Sequence, residues 1–383
     1  MKGFINHINI LLIFICLFLL FKIQTQDKSK TLKTSIESIP YENTTSTTCS
    51  IKTDLKNMMY QHPDFPLVRG RPFSGLETHS HILQAYLDSK TVELNPEQKI
   101  KPQPVTGISS NHFAEHQANA KIFFRIFPNE KVLFVDLGLT EIQSDRIKSD
   151  DRYIYKKFDF EKYPEKTTWL TSMAFKVFSI MECLMVYQAC MWWDASIKFT
   201  KNYDDLLENY VYGKNSSFVY YIKPAGHTVS WATHPLMFSY LPSNITRLNL
   251  REITMSQGGA TIIYNTVDLR EGIMKWAIAC ALTPECLMPN YELTEARTEK
   301  FGTRFNPWGH FELKHCSNKY GIGHPFVCHR FDQSLWMILV ANHYNYDTTK
   351  YRPPQSENIA IPDRTAGRLP ISKSTIKLQS DKL

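Results

Sequence analysis

Apolar residues along the chain fall into short unbroken runs that alternate with sets spaced three or four apart. Residues 131–139 (KVLFVDLGL) are the clearest strand, carrying Asp136 and Gly138 at its end, and residues 105–108 form a shorter β-rich run before it. The latter breaks into Ser109-Ser110-Asn111, which can cap a helix carrying Phe113, Ile122, Phe123, Ile126 and Phe127. Trp169, Met173, Val177, Ile180 and Leu184 recur at helical spacing across residues 169–187. That helix leads into the apolar run 188–193, which stops abruptly on Asp194 and turns polar. Strands and helices taken in this order predict parallel strands with right-handed crossovers, hence an α/β sheet.

The second half has a different grain. Residues 218–222, 228–231 and 260–264 read as strands, the last introduced by Gln257-Gly258-Gly259. Asn265 or Thr266 can cap a helix with Ile273, Trp276, Ala277 and Cys280 on its apolar positions, and a last helix begins near Asp332 with Leu335, Trp336, Ile338 and Leu339. This half is expected to form the acceptor side of a cleft whose nucleotide side is the first half.

The ends read otherwise. Residues 4–23 are apolar with an unbroken core at 10–21, close to the roughly 20 residues that span a bilayer. No small-x-small cleavage site follows, so residues 1–23 are expected to be a cytoplasmic tip and signal anchor rather than a cleaved leader. The expected layout continues with a Ser/Thr/Lys-rich stem at 24–57, a lead-in at 58–103 packed on the domain, a catalytic domain at 104–351 and a flexible Pro/Ser/Lys-rich tail at 352–383. Localisation is then the Golgi or ER membrane, single-pass type II with the domain in the lumen, or secretion if the leader is removed.

Composition narrows the classes. With 43% hydrophobic and 21% charged residues, the chain can bury a sizeable core. Its net charge of +7 is spread without a Lys/Arg block, which argues against a nucleic-acid partner while leaving room for a basic groove that takes a phosphorylated ligand. Cys280 with Cys286, and Cys316 with Cys328, are spaced to close short loops in an oxidising lumen. Cys183 with Cys190 offers a third pair, and Cys49 is left odd. Sequons at Asn43, Asn215 and Asn244 are the candidate N-glycosylation sites.

The candidate chemistry starts at Asp194. In open α/β sheets ligands bind outside the carboxyl ends of the strands, and an acid there can hold Mg²⁺ or Mn²⁺ for the phosphates of a nucleotide; as a plain structural residue it would cap the following turn. Trp192 and Trp193 can stack on a base or sugar, although alternation sends one of them to the core. His227, His234, His329 and His343 are possible ligands, with His234 singled out by its place in Thr-His-Pro. A rival pattern is His112-x-x-Glu115-His116, the order used by inverted zinc peptidases, with Glu182 as a conceivable third ligand.

Six segments together carry a resemblance: Ser109-Ser110-Asn111-His112-Phe113, Val135-Asp136-Leu137-Gly138-Leu139, Phe158-Asp159-Phe160-x-x-Tyr163-Pro164, Asp194-Ala195-Ser196-Ile197-x-Phe199, Trp231-Ala232-Thr233-His234-Pro235 and Arg330-Phe331-Asp332-Gln333-Ser334. Their order resembles a family expanded in nematodes, of single-pass secretory-pathway proteins with a domain of unknown function, over residues 104–351 or so. That pattern in turn is similar to Golgi glycosyltransferases of the GT-A fold, with a Rossmann-like nucleotide-binding half and a mixed-sheet acceptor half. The resemblance implies transfer of a sugar from a nucleotide sugar to a glycan or glycoprotein acceptor. Ser109, Asn111, Asp136 and Trp193 would then lie by the nucleotide sugar, and His234, Gln257, Gly258 and Gln333 by the acceptor. Asp194 matches the first acid of an Asp-x-Asp metal motif whose second place holds Ser196, and Asp332 is the candidate base. A glycan-binding domain of the same fold without turnover is the alternative.

Overall fold

The computed structural model describes residues 54–289, 329–354 and 358–364. The described residues belong to one compact unit. The expected anchor and stem, Asn43 and Cys49 lie outside the described residues, among which no helix is long and apolar enough to cross a membrane.

Two of the three cysteine pairs expected from spacing are bridged, Cys183–Cys190 and Cys280–Cys286. Cys316 and Cys328 both lie outside the described residues.

The first strands of the described residues form a hairpin, β1 (Met59–His62) and β2 (Phe65–Pro72), followed by α1 (Leu76–Leu87). Then come β3 (Gln103–Ile108), α2 (Phe113–Ile126), β4 (Val132–Asp136), α3 (Glu141–Lys148), β5 (Tyr153–Lys157), α4 (Ala174–Tyr187) and β6 (Ala189–Trp193). The second half adds β7 (Ile197–Phe199), β8 (Phe218–Tyr220), β9 (Pro224–Thr228), α5 (Pro235–Tyr240), β10 (Thr254–Ser256) and β11 (Ala260–Tyr264). It ends with α6 (Lys275–Ala281), α7 (Phe331–His343) and β12 (Ala360–Pro362).

Six strands form one mixed sheet in the order β5-β4-β3-β6-β11-β8. The four strands of the first half run parallel, with Val105 opposite Leu133 on one side and Trp192 on the other, and β11 joins β6 antiparallel, Ala260 opposite Trp193. The chain therefore steps outward from β3 through β4 to β5 and returns by α4 to the other side of β3. Such a reversal opens a crevice between the carboxyl ends of neighbouring strands, here those of β3 and β6. The α/β expectation with a parallel half and a mixed half holds.

Alternation along β6 divides the core. Cys190 and Trp192 face the cluster built with α4, α6 and α7, while Ala189, Met191 and Trp193 face the cluster that includes Phe123 and Phe124 of α2. Both faces of the sheet are thus covered, which is what lets β6 and β11 read as unbroken apolar runs. The lead-in is tied to this body: the Tyr60 hydroxyl accepts from Asn342 Nδ2 at 3.1 Å, and Tyr86 donates to Asn265 Oδ1 at 2.5 Å.

Three boundaries differ from the periodicity. The helix expected from residue 169 begins at Ala174, because Met173 sits in the left-handed region (φ 60°) and residues before it form short 3-10 turns. The strand expected at 228–231 lies earlier, as β9, and residues 229–231 turn. The tail expected to be loose from 352 is built into the body at its start: Arg352 hydrogen-bonds Thr254 and Ser256, Ile359 and Ala360 are buried, and β12 pairs antiparallel with β7.

Candidate active site at the carboxyl end of the central strand

Asp194 directly follows β6, beside the reversal of strand order. Its backbone N–H donates to the Gly259 carbonyl at 2.9 Å, continuing the β6–β11 ladder past its last pair. Being two residues from Trp192, it shares that residue's face of the sheet, and Trp192 Nε1 donates to Asp194 Oδ1 at 2.9 Å. The second carboxylate oxygen accepts from Lys176 Nζ at 3.0 Å. Lys176 is on α4, and the same ammonium lies 3.1 Å from Asp332 Oδ2 near the start of α7. One buried cation therefore bridges an acid from each half of the domain.

Exposure separates the roles of the three groups. The side chains of Lys176 and Asp332 are 8% and 5% exposed, whereas that of Asp194 is 29% exposed. Burial alone would drive Lys176 toward neutrality, but the Asp194 and Asp332 charges outweigh it and raise its pKa above the ordinary lysine value. Asp332 is pushed up, by burial first and by Asp194, against the opposing pull of Lys176. Its Oδ2 meets the Lys176 ammonium as an ion pair at 3.1 Å.

The Gly-Gly pair fits here for a steric reason. A Cβ at Gly259 would fall 2.8 Å from Asp194 Oδ2, and one at Gly258 would fall 2.7 Å from Asp332 Oδ2 and 2.9 Å from Gln333 Cγ. Bare backbone is what lets the β10–β11 connection lie against both acids.

The start of α7 is fixed with equal care. Phe331 takes φ 41°, a strained value for a bulky residue. Around it, the Arg330 N–H and the Ser334 hydroxyl both donate to the Ala232 carbonyl, at 3.0 and 2.7 Å. The His234 N–H donates to His329 Nδ1 at 3.1 Å. Two of the motifs read from the sequence thus dock on each other and hold Asp332 in place. Arg330 Nε is buried without a partner among the described residues, and Arg364 is close enough, after burial, to help depress the Arg330 pKa.

Of the predicted site residues, Asp194, Gly258, Asp332 and Gln333 meet at this cluster. Gln257 is beside it, its amide donating to the Lys223 carbonyl at 3.0 Å. His234 caps α5, its Nδ1 accepting from the Leu236 N–H at 3.1 Å. Ser109 and Asn111 follow β3 at the same edge of the sheet and bond to each other at 2.6 Å. Asp136 has a turn to hold: its carboxylate accepts from the Gly138 and Leu139 N–H groups and from the Tyr155 hydroxyl, at 2.8, 2.7 and 2.6 Å. Trp193, expected beside the nucleotide sugar, is instead fully buried and stacked on Phe123 on the face away from Asp194, since parity along the strand gives the site to Trp192. Asp332, expected as the base, is only 3% exposed and faces Lys176.

The zinc-peptidase pattern does not assemble. His112 is half exposed and pairs with Glu115 at 3.0 Å, while His116 is fully buried against Phe134 and Trp193, shares a hydrogen bond with the Tyr153 hydroxyl, and has its pKa driven down to about 3 by burial. Glu182 is held by Lys156, Lys162 and Tyr163. Among the described residues no cluster of three or more His, Cys, Asp or Glu side chains could hold a metal ion. A Mn²⁺ or Mg²⁺ ion between Asp194 and Asp332 would have to displace the Lys176 ammonium, so the side chains as they stand do not fit one.

Lys176 and Trp192 were not singled out for these contacts by the sequence. The signal for the lysine was available, as a lone charge within the apolar run Ala-Phe-Lys-Val-Phe that opens the helix.

Residues 48–181 match the family described as "Protein of unknown function (DUF1647)", a stretch that contains Lys176 and stops before Asp194. No curated protein matches the chain. Among solved structures the chain is similar to the galactosyltransferase LgtC in complex with donor and acceptor sugar analogs, at 11% identity and TM-score 0.31, over 63% of this chain and 69% of that one. It is also similar to the mannosyltransferase Ktr4p from S. cerevisiae in complex with GDP, at 12% identity and TM-score 0.31, over 54% and 71% of the two chains. Mouse xyloside xylosyltransferase 1 gives 9% identity and TM-score 0.31 over 66% and 84%.

Proposed function

We propose that the domain transfers a sugar from a nucleotide sugar to a glycan or glycoprotein hydroxyl, with the donor bound over the carboxyl ends of β3 and β6. The observation that supports this reading is the partly open Asp194, held by Trp192 and Lys176 at the reversal of strand order and backed by Gly259. In the reaction the acceptor oxygen bonds to the anomeric carbon, the bond from that carbon to the diphosphate oxygen breaks, and the hydroxyl proton passes to a base. Asp194 is the carboxylate placed to touch the sugar or take that proton, and Asp332 acts through Lys176 as a positioning residue. Arg330, with its unpartnered Nε, and Arg364 offer positive charge for the departing diphosphate.

The test is a melting-temperature panel of nucleotides and nucleotide sugars on wild type and Asp194→Asn, since a ligand bound only to the native state raises apparent stability. At least one nucleotide sugar should stabilise wild type and lose that effect in the variant, because Asn fills the same space without the charge. No stabilisation by any nucleotide, or equal stabilisation of both proteins, would overturn the assignment. Stabilisation by free glycans alone would favour a glycan-binding domain without turnover, a reading that the burial of Asp332 supports.

We further propose that the domain faces the lumen of the Golgi or ER, anchored through residues 4–23 as a type II membrane protein. The bridges Cys183–Cys190 and Cys280–Cys286 fit an oxidising compartment, and Asn215 is exposed for glycosylation. Endoglycosidase digestion of the expressed protein should raise its gel mobility; an unchanged band speaks against this placement.

A further inference from the structure

We infer that Lys176 is the resident cation of this site: its ammonium occupies the position between Asp194 and Asp332 that a divalent ion would take, and the site works without metal. The inference rests on the sugar-transfer reading only for its consequence in turnover.

Geometry comes first. The ammonium is 3.0 Å from Asp194 Oδ2 and 3.1 Å from Asp332 Oδ2, and Trp192 Nε1 engages the remaining Asp194 oxygen, Oδ1, at 2.9 Å. A Mg²⁺ or Mn²⁺ ion needs oxygen ligands at about 2.0–2.2 Å in a near-octahedral shell. The carboxylates cannot readily swing out to provide it, because the Gly258-Gly259 backbone packs so closely that even a methyl group there would collide with them. The second place of the metal motif is also closed. Ser196 is buried, and its carbonyl accepts from the Asp363 N–H at 2.6 Å, which ties that backbone to the strand β12.

Charge points the same way. Two carboxylates and one ammonium sum to a single negative charge in a largely buried setting, and burying Asp332 without its Lys176 partner would be costly. Lys176 is compensation covalently fixed to α4, always in place, where a metal would have to be captured from solution. In transfer chemistry its task is to hold the Asp194 carboxylate aimed, while the charge of the leaving diphosphate falls to other groups.

The experiment titrates Mn²⁺ alone into wild type, Asp194→Asn, Lys176→Met and Lys176→Met/Asp194→Asn, followed by calorimetry and by the loss of the free Mn²⁺ paramagnetic signal. Wild type and Asp194→Asn should be indistinguishable. Lys176→Met, with two acids left facing each other, should gain a Mn²⁺ site that the added Asp194→Asn change removes. Stoichiometric Mn²⁺ binding by wild type that Asp194→Asn abolishes would overturn the inference, as would a folded Lys176→Met that gains no affinity. Should Lys176→Met not fold, the wild-type and Asp194→Asn pair decides the matter alone. Nucleotide-sugar binding measured in EDTA and in Mn²⁺ separates the two proposals: equal binding supports both, binding only in Mn²⁺ and dependent on Asp194 overturns this one, and no binding in either medium counts against the donor reading while the Mn²⁺ titration still judges Lys176.

Discussion

Replacing Lys176 with Met keeps the length and much of the volume of the side chain and removes only its charge, so the response measures the ion cluster and little else. At an effective dielectric near 20, each contact at about 3 Å represents roughly 5 kcal/mol of attraction, largely offset by the desolvation of all three groups. Removing the ammonium forfeits the attraction without returning water to Asp332, whose side chain is 5% exposed. Asp332 has one escape, which is to take up a proton. From an unfolded value near 3.9, that costs about 1.4 kcal/mol per pH unit, or about 4 kcal/mol at pH 7 and about 1.5 kcal/mol at pH 5. Asp194, 29% exposed, keeps part of its hydration and adds less. Urea unfolding followed by tryptophan fluorescence should therefore show Lys176→Met destabilised by about 3–4 kcal/mol at pH 7, with the deficit shrinking by more than half at pH 5. Lys176→Met/Asp332→Asn should recover most of the loss. A deficit below about 1 kcal/mol at pH 7, or one that does not change with pH, would refute the claim that Lys176 compensates a buried charge.

Gly259→Ala should cost about 1–3 kcal/mol and shift Asp194 off its contacts with Lys176 and Trp192; unchanged stability together with unchanged nucleotide-sugar affinity would show that the close approach is unimportant. Stability should also fall on acidification below pH 6.5, because burial lowers the pKa of His116 to about 3 and of His227 and His329 to about 4. With folded values below the unfolded one, these rings are neutral when folded and protonate on unfolding, so the contribution is complete above pH 6.5 and is lost as pH falls. At pH 5.5 each costs about 1.4 kcal/mol, and His116→Gln should remove one such share from the acid limb of a denaturation series; an identical limb in that variant would argue against a buried neutral ring.

Much of this arrangement was legible in the chain because apolar runs and breaks are strong signals. β4, β6 and β11 are each buried along their whole length and read as strands at once. Asp194, the glycine pair and Asp332 stood out as polar or backbone breaks at the edges of such runs, and the fold brings them together. β5 did not stand out, since Tyr153–Lys157 lies at the sheet edge and ends in two exposed lysines. Lys176 was hidden for the opposite reason: the long buried face of α4 swallows this charge into its apolar period, and only tertiary pairing reveals why the charge is tolerated. The choice between Trp192 and Trp193 turned on which parity of β6 faces α4, and period-two alternation cannot say which face is which. Cys280–Cys286 was read from spacing and is present, while the same reading of Cys316 with Cys328 falls outside the described residues. The docking of residues 231–234 under the start of α7 joins segments too far apart for any local pattern to register.

The pairing of β12 with β7 bears on how the protein is made. Residues 197–199 leave the ribosome long before residues 360–362, and α7 with Asp332 also emerges late. Until then the turn that presents Asp194 lacks its flanking strand, Ser196 lacks its backbone donor, and Lys176 faces one acid of its two. The charge cluster and its strap are therefore completed by the last described segments to be synthesised. A fragment ending just after Asp194 would carry the parallel strands with a lysine paired to one acid of its two, and a cut between α7 and β12 would strip the strap from the turn while leaving every named acid in the chain.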